Sequence, residues 1–348
     1  MTFRKIDRKN KKSLFVDCYD IVTREAPDFF IYFFIGGRQI GKTYSMLKGF
    51  VENKDMFLYM RRTDVEEQAG LSEEGNPFKS INRDLGTNIY LGGNKKSGGT
   101  IIKEVNEEEK YVIGYTGALS TFGNMRGVDY TDCDYIYIDE FINMKRIDYV
   151  KNDGTLLFDT ISTVNRNREL LGQDAIKIVL TSNANTIDSD IIRTLYLDDI
   201  IYQMKELCYN VYTDDDKGIY LELMETPKQL KEKLVNTKLA KLTRGTRFYD
   251  MAFENNFTTD YFGDISKKVD YSVMYPVCAY ETIYFYKYKY KELMFASKRK
   301  AQCTIYTEQT KEAFKRDFGF MMMQYIETGK MLYRDYNTKL TVQHIWKG

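Results

Sequence analysis

Histidine, closely spaced cysteines and long apolar runs are scarce or absent in this sequence. His344 is the single histidine, which excludes a multi-histidine metal site and disfavours a Ser-His-Asp triad. The five cysteines are scattered and form no C-x-x-C pair, so reduced thiols in a cytosolic compartment are expected rather than disulfides or a zinc site. No apolar run approaches the roughly 18 residues of a membrane span. None follows the basic N-terminus, so no signal peptide is predicted.

The composition that remains is that of a globular protein with more than one domain. The chain has 348 residues, 43% hydrophobic and 29% charged, and this length favours two domains. The net charge of +1 hides an uneven distribution. From Asp264 to Gly348 there are 15 Lys and Arg against 9 Asp and Glu, whereas the rest of the chain has 36 against 41. The C-terminal quarter is therefore basic.

Residues 36–43, Gly-Gly-Arg-Gln-Ile-Gly-Lys-Thr, match the phosphate-binding pattern G-x-x-x-x-G-K-[ST]. An apolar and aromatic run, residues 29–35, precedes them and predicts a strand buried on both faces. A helix is predicted to follow, which completes the required order. Backbone N–H groups and Lys42 would contact phosphates, and Thr43 would offer a hydroxyl to Mg²⁺. The predicted cofactors are ATP and Mg²⁺, and the predicted nucleotide-binding residues are Gly36, Gly37, Arg38, Gln39, Ile40, Gly41, Lys42 and Thr43.

A second apolar run, Tyr-Ile-Tyr-Ile at residues 135–138, leads directly into two carboxylates, Asp139 and Glu140. This is the form of a Walker B strand, in which Asp139 would hold Mg²⁺ through water and Glu140 would polarise the attacking water. The interval after Thr43 leaves space for an inserted strand. Both features mark the additional-strand, catalytic-glutamate (ASCE) class of P-loop ATPases. The alternative is an ordinary solvated acidic pair.

Two other predicted strands also end in polar residues. The run from residue 175 ends in Thr-Ser-Asn, and Asn183 stands where such ATPases place a sensor for the water or γ-phosphate. The alternative for Asn183 is a cap of the next turn. Residues 55–62 predict a strand that ends in two arginines. Either Arg61 or Arg62 would contact Glu140, DNA, or a carboxylate at the strand end.

The basic C-terminal segment contains an alternating stretch of tyrosine and lysine. Tyr284, Tyr286, Tyr288 and Tyr290 are predicted on one face of a strand, and Lys287, Lys289 and Lys291 on the other. The lysine face would suit the phosphates of DNA or RNA, or an acidic protein surface. A solvated face that protects an edge strand is the alternative.

Five strings taken together resemble one family. They are Gly36–Thr43, Tyr59–Arg62, Ile136–Ile142, Asn165–Glu169 and Leu180–Ala184. They resemble the genome-packaging ATPases of small tailed phages of the phi-29 type, relatives of terminase large subunits and of FtsK/HerA translocases. The resemblance covers roughly the first 260 residues, and the later part matches in size and general make-up.

This resemblance implies an ATP-driven translocase of double-stranded DNA. Its homo-oligomeric ring, typically a pentamer, would dock on the portal of a procapsid in the host cytoplasm, with a structural RNA as a candidate partner. It would not be expected in the mature virion. Each active site would lie between subunits, and Arg166 occupies the family's arginine-finger position, with Arg168 as the second candidate. Arg126 matches a basic residue that acts across the interface, and Lys145 and Arg146 would face the DNA channel.

The resemblance also implies the fold class and its division. A mostly parallel α/β sheet of the ASCE class is expected, followed by a small α+β domain like a degenerate RNase H domain. The expected parts are an ATPase domain at 1–212, a helical lid or linker at 213–262 and a basic domain at 263–348. Terminase nucleases need clustered carboxylates. Because the C-terminal carboxylates are scattered, no nuclease activity is expected.

Two other functions stay open from the sequence. A P-loop helicase, or a host-type DNA pump of the FtsK/HerA kind, would use the tyrosine face at residues 284–290 to stack single-stranded bases. A nucleotide-binding scaffold without catalysis would not need Lys42, Asp139 and Glu140, and all three are present.

Overall fold

The computed structural model describes residues 1–8, 13–94, 98–125, 129–142, 152–184, 186–246, 249, 252, 263–266 and 268–346. The chain divides into two compact units. The first comprises Met1–Leu195 and Met204–Thr259, and the second comprises Tyr196–Gln203 and Asp260–Gly348.

A ten-stranded sheet forms the centre of the first unit. Its strands are β1 (Thr2–Arg4), β2 (Ile31–Gly36), β3 (Phe57–Arg61), β4 (Asn88–Asn94), β5 (Gly98–Glu104), β6 (Lys110–Ala118), β7 (Tyr135–Asp139), β8 (Lys177–Asn183), β9 (Val211–Asp214) and β10 (Ile219–Met224). They lie in the order β1-β9-β10-β2-β8-β7-β3-β6-β5-β4. All pairs from β10 to β6 are parallel, and the pairs at both edges are antiparallel. The expected large, mostly parallel sheet is confirmed.

The carboxyl ends of four neighbouring strands meet at one edge of this sheet. β8 lies between β2 and β7, and β3 lies on the other side of β7. Gly36 pairs with Asn183, and Asp139 pairs with both Thr181 and Arg61. Ligands of open α/β sheets bind outside the carboxyl ends of the strands. The register therefore brings the polar ends of the predicted strands together at the position where a ligand is expected.

Helices cover this sheet and the second one. α2 buries Met46, Leu47 and Phe50, and the Phe50 ring stacks on Phe57 of β3 with centroids 4.4 Å apart. The helices are α1 (Cys18–Asp20), which continues as a π-helical turn at Ile21–Glu25, α2 (Lys42–Asn53), α3 (Asp64–Gly70), α4 (Lys79–Leu85), α5 (Asp153–Asn165), α6 (Asp190–Thr194), α7 (Asp198–Glu206), α8 (Lys228–Leu234), α9 (Lys238–Thr243), α10 (Lys311–Glu327) and α11 (Tyr336–Trp346). In the described part of the chain, no helix is long and apolar enough to cross a membrane.

The second unit contains a smaller mixed sheet. Phe314 and Met322 of α10 and Val342 of α11 pack on one side of it. Its strands are β11 (Met274–Tyr280), β12 (Ile283–Tyr288), β13 (Met294–Ser297), β14 (Ile305–Tyr306) and β15 (Met331–Tyr333). They lie in the order β14-β11-β12-β13-β15, with parallel pairs at both edges and antiparallel pairs between them.

One expectation about the chain's organisation needs correction. Residues 213–224 fall in the predicted helical linker, but they complete β9 and form β10, because the buried residues Ile219–Met224 pair along β2. Further along the predicted linker the chain forms two helices, α8 and α9. β1 pairs with β9 at the sheet edge.

The predicted tyrosine and lysine faces are also wrong in part. β12 ends at Tyr288, so the alternation does not continue through Lys291. Tyr284 and Tyr286 are buried in a cluster with Phe295, whereas Tyr290 is 87% exposed beyond the strand. The rings of Tyr284 and Tyr286 fill a core, so they do not contribute to the stacking surface that the helicase hypothesis requires.

Candidate nucleotide-binding site

The glycine-rich loop connects the carboxyl end of β2 to the first turn of α2. Gly41, the last residue before the helix, has a φ of +103°, a left-handed conformation that favours glycine. A Cβ atom on Gly36 would lie 2.7 Å from Cβ of Met224 and 2.9 Å from Cδ1 of Ile40. The loop therefore needs glycine for backbone conformation at Gly41 and for space at Gly36.

Lys42, the first residue of α2, turns its side chain back into the loop. Its Nζ donates to the carbonyl oxygens of Gly37 at 2.7 Å and Gly36 at 3.1 Å, and to Oδ1 of Asn183 at 3.4 Å. Burial lowers the pKa of this ammonium, and the nearby Glu140 carboxylate opposes the shift. Its hydrogen-bond acceptors here are neutral, so phosphate oxygens that enter the loop would be stronger partners.

The Asp139 carboxylate is surrounded by hydroxyl groups at the end of β7. Its Oδ1 accepts hydrogen bonds from Thr181 at 2.8 Å, Thr43 at 3.0 Å and Tyr137 at 3.3 Å. The sequence predictions missed Tyr137 and Thr181. Side chains two positions apart on a strand share a face, so Tyr137 lies beside Asp139, and Thr181 beside Asn183. The two-residue period of side chains along a strand was the sequence signal that could have identified Tyr137 and Thr181. The contact between Thr43 and Asp139 joins the two residues predicted to serve Mg²⁺.

Glu140 lies one residue beyond β7 with a φ of +58°, which is uncommon for a non-glycine residue. Its Oε1 accepts a hydrogen bond from Nδ2 of Asn183 at 2.6 Å. Its Oε2 is buried and has no hydrogen-bond partner among the described residues. Burial and the adjacent Asp139 raise the pKa of Glu140, while Lys42 opposes the rise. A buried acceptor of this kind suits a group that takes a hydrogen bond from a water molecule.

Asn183 connects the loop lysine to the predicted catalytic carboxylate. Its amide oxygen accepts from Lys42, and its amide nitrogen donates to Glu140. The side chain is buried at the end of β8, the strand inserted between β2 and β7. This placement supports the sensor interpretation of Asn183 more than the capping alternative.

Arg61 and Arg62 take different partners at the end of β3. Nη1 of Arg61 lies 3.0 Å from Oδ2 of Asp139, and Nη1 of Arg62 lies 3.2 Å from Oδ2 of Asp153 in α5. The sequence left Glu140, DNA and another carboxylate open as partners of these arginines. In the structure, each arginine contacts a carboxylate other than Glu140. The Arg61 contact is part of the site, because Arg61 donates to Oδ2 of Asp139 whereas the hydroxyl groups donate to Oδ1.

A cleft of about 1260 Å³ opens above these side chains. Six of the eight residues of the loop motif, Arg38 to Thr43, contribute to its lining, and Glu140 and Asn183 line it too. More cations than carboxylates line it, which suits a polyphosphate. The charged lining consists of Arg38, Lys42, Arg61, Arg62 and Arg83 against Glu66, Asp84 and Glu140.

The donor set fits a magnesium ion that arrives with a nucleotide. Mg²⁺ prefers oxygen ligands and is usually held by one or two carboxylates, water and substrate phosphates. Thr43 and Asp139 supply a hydroxyl and a carboxylate whose oxygens lie 3.0 Å apart. Over the described ranges, no group of three or more His, Cys, Asp or Glu side chains is placed to hold a metal. A metal at Thr43 and Asp139 would therefore need phosphate and water oxygens.

The two finger candidates differ in how they are held. Arg168 donates to the carbonyl oxygens of Cys133 at 2.6 Å and Asp174 at 3.0 Å. The Arg166 side chain is 40% exposed, contacts the exposed Asp129 at 3.3 Å and donates from Nε to the Thr163 carbonyl oxygen at 3.2 Å. Neither arginine lines the cleft of its own chain. Three other predicted residues, Arg126, Lys145 and Arg146, lie outside the described residues.

An N-terminal segment, residues 15–19, packs against the loop and α2 from outside. The Val16 N–H donates to the Ile40 carbonyl at 2.9 Å, and the Cys18 N–H donates to Oγ of Ser45 at 3.0 Å. A Cβ atom on Gly49 of α2 would lie 2.1 Å from Cγ of the Tyr19 ring. The segment and the helix therefore pack without space for one added methyl group.

Two of the three predicted DNA-binding lysines of the second unit have protein partners. Nζ of Lys289 donates to the Ser272 carbonyl at 2.8 Å, and Nζ of Lys287 lies 5.9 Å from the centre of the Tyr325 ring. Lys291 lies three residues beyond the strand and is exposed. The three lysines lie near one another in sequence, but they do not form one strand face.

Comparisons with known proteins identify the family to which the chain is similar. A family model described as podovirus DNA encapsidation protein (Gp16) matches residues 10–337. The DNA packaging protein of Bacillus phage PZA is 25% identical over 272 residues, 74% of this chain and 70% of that protein. The DNA packaging protein of Bacillus phage phi29 is 25% identical over 264 residues, 72% of this chain and 68% of that protein. A chain in a solved structure of the bacteriophage phi29 genome packaging motor assembly matches with a TM-score of 0.64 and 16% identity, over 96% of this chain and 99% of that chain, which indicates a shared fold.

Proposed function

The chain belongs to the podovirus DNA encapsidation protein (Gp16) family, and we propose that its cleft hydrolyses ATP to drive double-stranded DNA into a procapsid. It is a phage DNA packaging ATPase. The proposal adds which residues carry the reaction, how neighbouring subunits share it and which partners it serves.

Within one subunit, the loop would bind the triphosphate and the strand ends would activate water. Lys42 would leave the Gly36 and Gly37 carbonyls for the β- and γ-phosphates, which are stronger acceptors. Glu140 would accept a hydrogen bond from the attacking water through Oε2, and Asn183 would orient that carboxylate. Thr43 and Asp139 would hold Mg²⁺. The ion supplies positive charge to the phosphate oxygens when it is bound.

The contacts of Asn183 are the observation that carries the proposal. One buried amide joins a cation suited to phosphate and a carboxylate suited to water. A scaffold that merely binds nucleotide has no use for this connection or for the uncovered Oε2 of Glu140. The position of β8 between β2 and β7 also supports the finer ASCE assignment of the fold.

The active site would be completed by a neighbouring subunit. Neither arginine lines the cleft of its own chain, and the Arg166 side chain is 40% exposed whereas that of Arg168 is 15% exposed. Arg166 is therefore the better candidate for an arginine that reaches another subunit's phosphates. This arrangement requires a ring, and a pentamer on the procapsid portal is the form proposed.

The second unit would serve assembly and DNA handling. Its basic residues suit DNA phosphates, a structural RNA or an acidic portal surface. We assign it no nuclease activity, and its relation to a degenerate RNase H-like domain remains part of the proposal, as does a boundary near residue 263. The protein would act in the host cytoplasm at the portal vertex.

The proposal is tested by the ATPase rate per subunit against protein concentration, with and without double-stranded DNA. A shared active site predicts a rate that climbs steeply with concentration and further with DNA. Glu140→Gln at the same concentrations is the control for contaminating ATPases. A flat rate that DNA does not change would contradict a shared site in a translocating ring.

A further inference from the structure

Arg61 satisfies a charge requirement that exists before nucleotide binds. Asp139 is buried, with a side chain 7% exposed, and a buried carboxylate is costly without a cation beside it. Lys42 bonds to loop carbonyls and Asn183, so Arg61 supplies the cation that contacts Asp139 directly. Arg61 thus neutralises the carboxylate that the proposed site reserves for Mg²⁺.

The two oxygens of Asp139 have different environments. Oδ1 accepts from three hydroxyl groups, on Thr43, Tyr137 and Thr181, whereas Oδ2 faces Nη1 of Arg61 at 3.0 Å. A divalent ion bound through Thr43 and Asp139 would place two further positive charges within a few ångströms of the guanidinium. Like charges repel strongly at that separation where water is partly excluded. The metal and the Arg61 contact therefore oppose each other.

The cleft can accommodate the Arg61 side chain when its contact with Asp139 breaks. This side chain is 23% exposed and lines the same cleft as Arg38 and Lys42. A guanidinium that leaves Asp139 on that side enters the open cleft.

We propose that Arg61 is the counterion of Asp139 before nucleotide binds. When Mg²⁺ enters the site with ATP, the metal ion displaces Arg61 from Asp139. The inference rests on the proposed ATPase function and names a positioning residue for it. Its consequence is a competition. The wild-type site binds Mg²⁺ less tightly than its Thr43 and Asp139 ligands would allow, because the metal must first displace an ion pair.

The test is a Mg²⁺ titration of the binding of a fluorescent ATP analogue, without measurement of hydrolysis. Arg61→Gln keeps a hydrogen-bond donor of similar size but removes the charge. We expect it to lower the Mg²⁺ concentration for half-maximal binding by about tenfold, in keeping with the loss of one close charge. Arg61→Lys keeps the charge and should stay near wild type.

Arg24→Ala is the control, because Arg24 does not line the cleft and pairs with Asp20, with a side chain 77% exposed. Its Mg²⁺ midpoint should equal that of wild type. An unchanged or higher midpoint for Arg61→Gln, with wild-type melting behaviour, would overturn the counterion role. Wild-type protein that binds no nucleotide at any Mg²⁺ concentration would instead defeat the proposed function. If Arg61→Gln melts early, the same titration on Arg61→Lys and on Arg61→Met decides, since only the charge-free variant should shift.

Discussion

At the scale of single residues, Glu140 has the environment of a general base. Its carboxylate is buried, one oxygen is held by Asn183 and the other has no donor among the described residues. Burial and Asp139 both raise its pKa above the ordinary value of 4.5. A base whose pKa lies closer to the working pH transfers protons more effectively in the transition state.

We therefore expect the pH dependence of turnover to report Glu140. Only the ionised carboxylate can polarise water, so kcat should fall on acidification, and its fall should begin at a higher pH than for an ordinary glutamate. The measurement is kcat between pH 5 and 9 at saturating Mg·ATP. Glu140→Gln should lose about 10²–10⁴-fold of activity while it still binds nucleotide. A variant that turns over at the wild-type rate would contradict the assignment.

At the scale of secondary-structure elements, the two arginines that follow α5 have different surroundings. Arg168 fixes the loop before β7 through backbone carbonyls, and Arg166, with a φ of +43°, stands at the end of the helix. One short turn thus contains a residue suited to hold the fold and a residue suited to meet a partner.

Substitution should separate these roles. Arg166→Ala should lower turnover by about 10³–10⁵-fold, the effect of removing an arginine finger, with little change in melting temperature. Arg168→Ala should mainly lower the melting temperature, since hydrogen bonds from a charged group contribute about 1.5–3 kcal/mol.

Mixtures provide the sharper form of this prediction. Arg166→Ala and Glu140→Gln proteins, each inactive alone, should recover some ATPase activity when mixed, because some interfaces then pair intact halves. Arg168→Ala mixed with Arg166→Ala serves as the comparison. No recovery at any ratio would argue that Arg166 does not act across an interface.

Elements also show what the sequence could and could not predict. β2, β7 and β8 were predictable because each is an apolar run buried on both faces and ending in a recognisable polar string. β1, β9 and β10 were missed, since their pairing depends on distant segments and not on local pattern. Arg61 and Arg62 are adjacent in sequence, and which of them meets Asp139 depends on the register of β3 against β7.

At the scale of the whole molecule, the basic second unit predicts binding that salt weakens. Lys287, Lys289 and Lys291 replaced together by alanine should weaken binding of double-stranded DNA. The slope of log affinity against log salt should become shallower by about 1–3, since each phosphate contact contributes about 0.9. Lys311 and Lys315 are the control, because each is paired with a glutamate on its own helix turn. Equal effects of both sets would contradict a specific lysine surface.

The close packing of residues 15–19 against α2 has a practical consequence for handling the protein. Residues 15–19 contact the phosphate-binding loop and α2 directly. A label, fusion or deletion near Val16 or Tyr19 would therefore disturb the loop, whereas a distant substitution would not. If nucleotide binding were lost after such a change, the cause would be a disturbed loop rather than the loss of a residue that binds the nucleotide. Additions placed elsewhere on the chain are the safer choice for experiments that follow ATP.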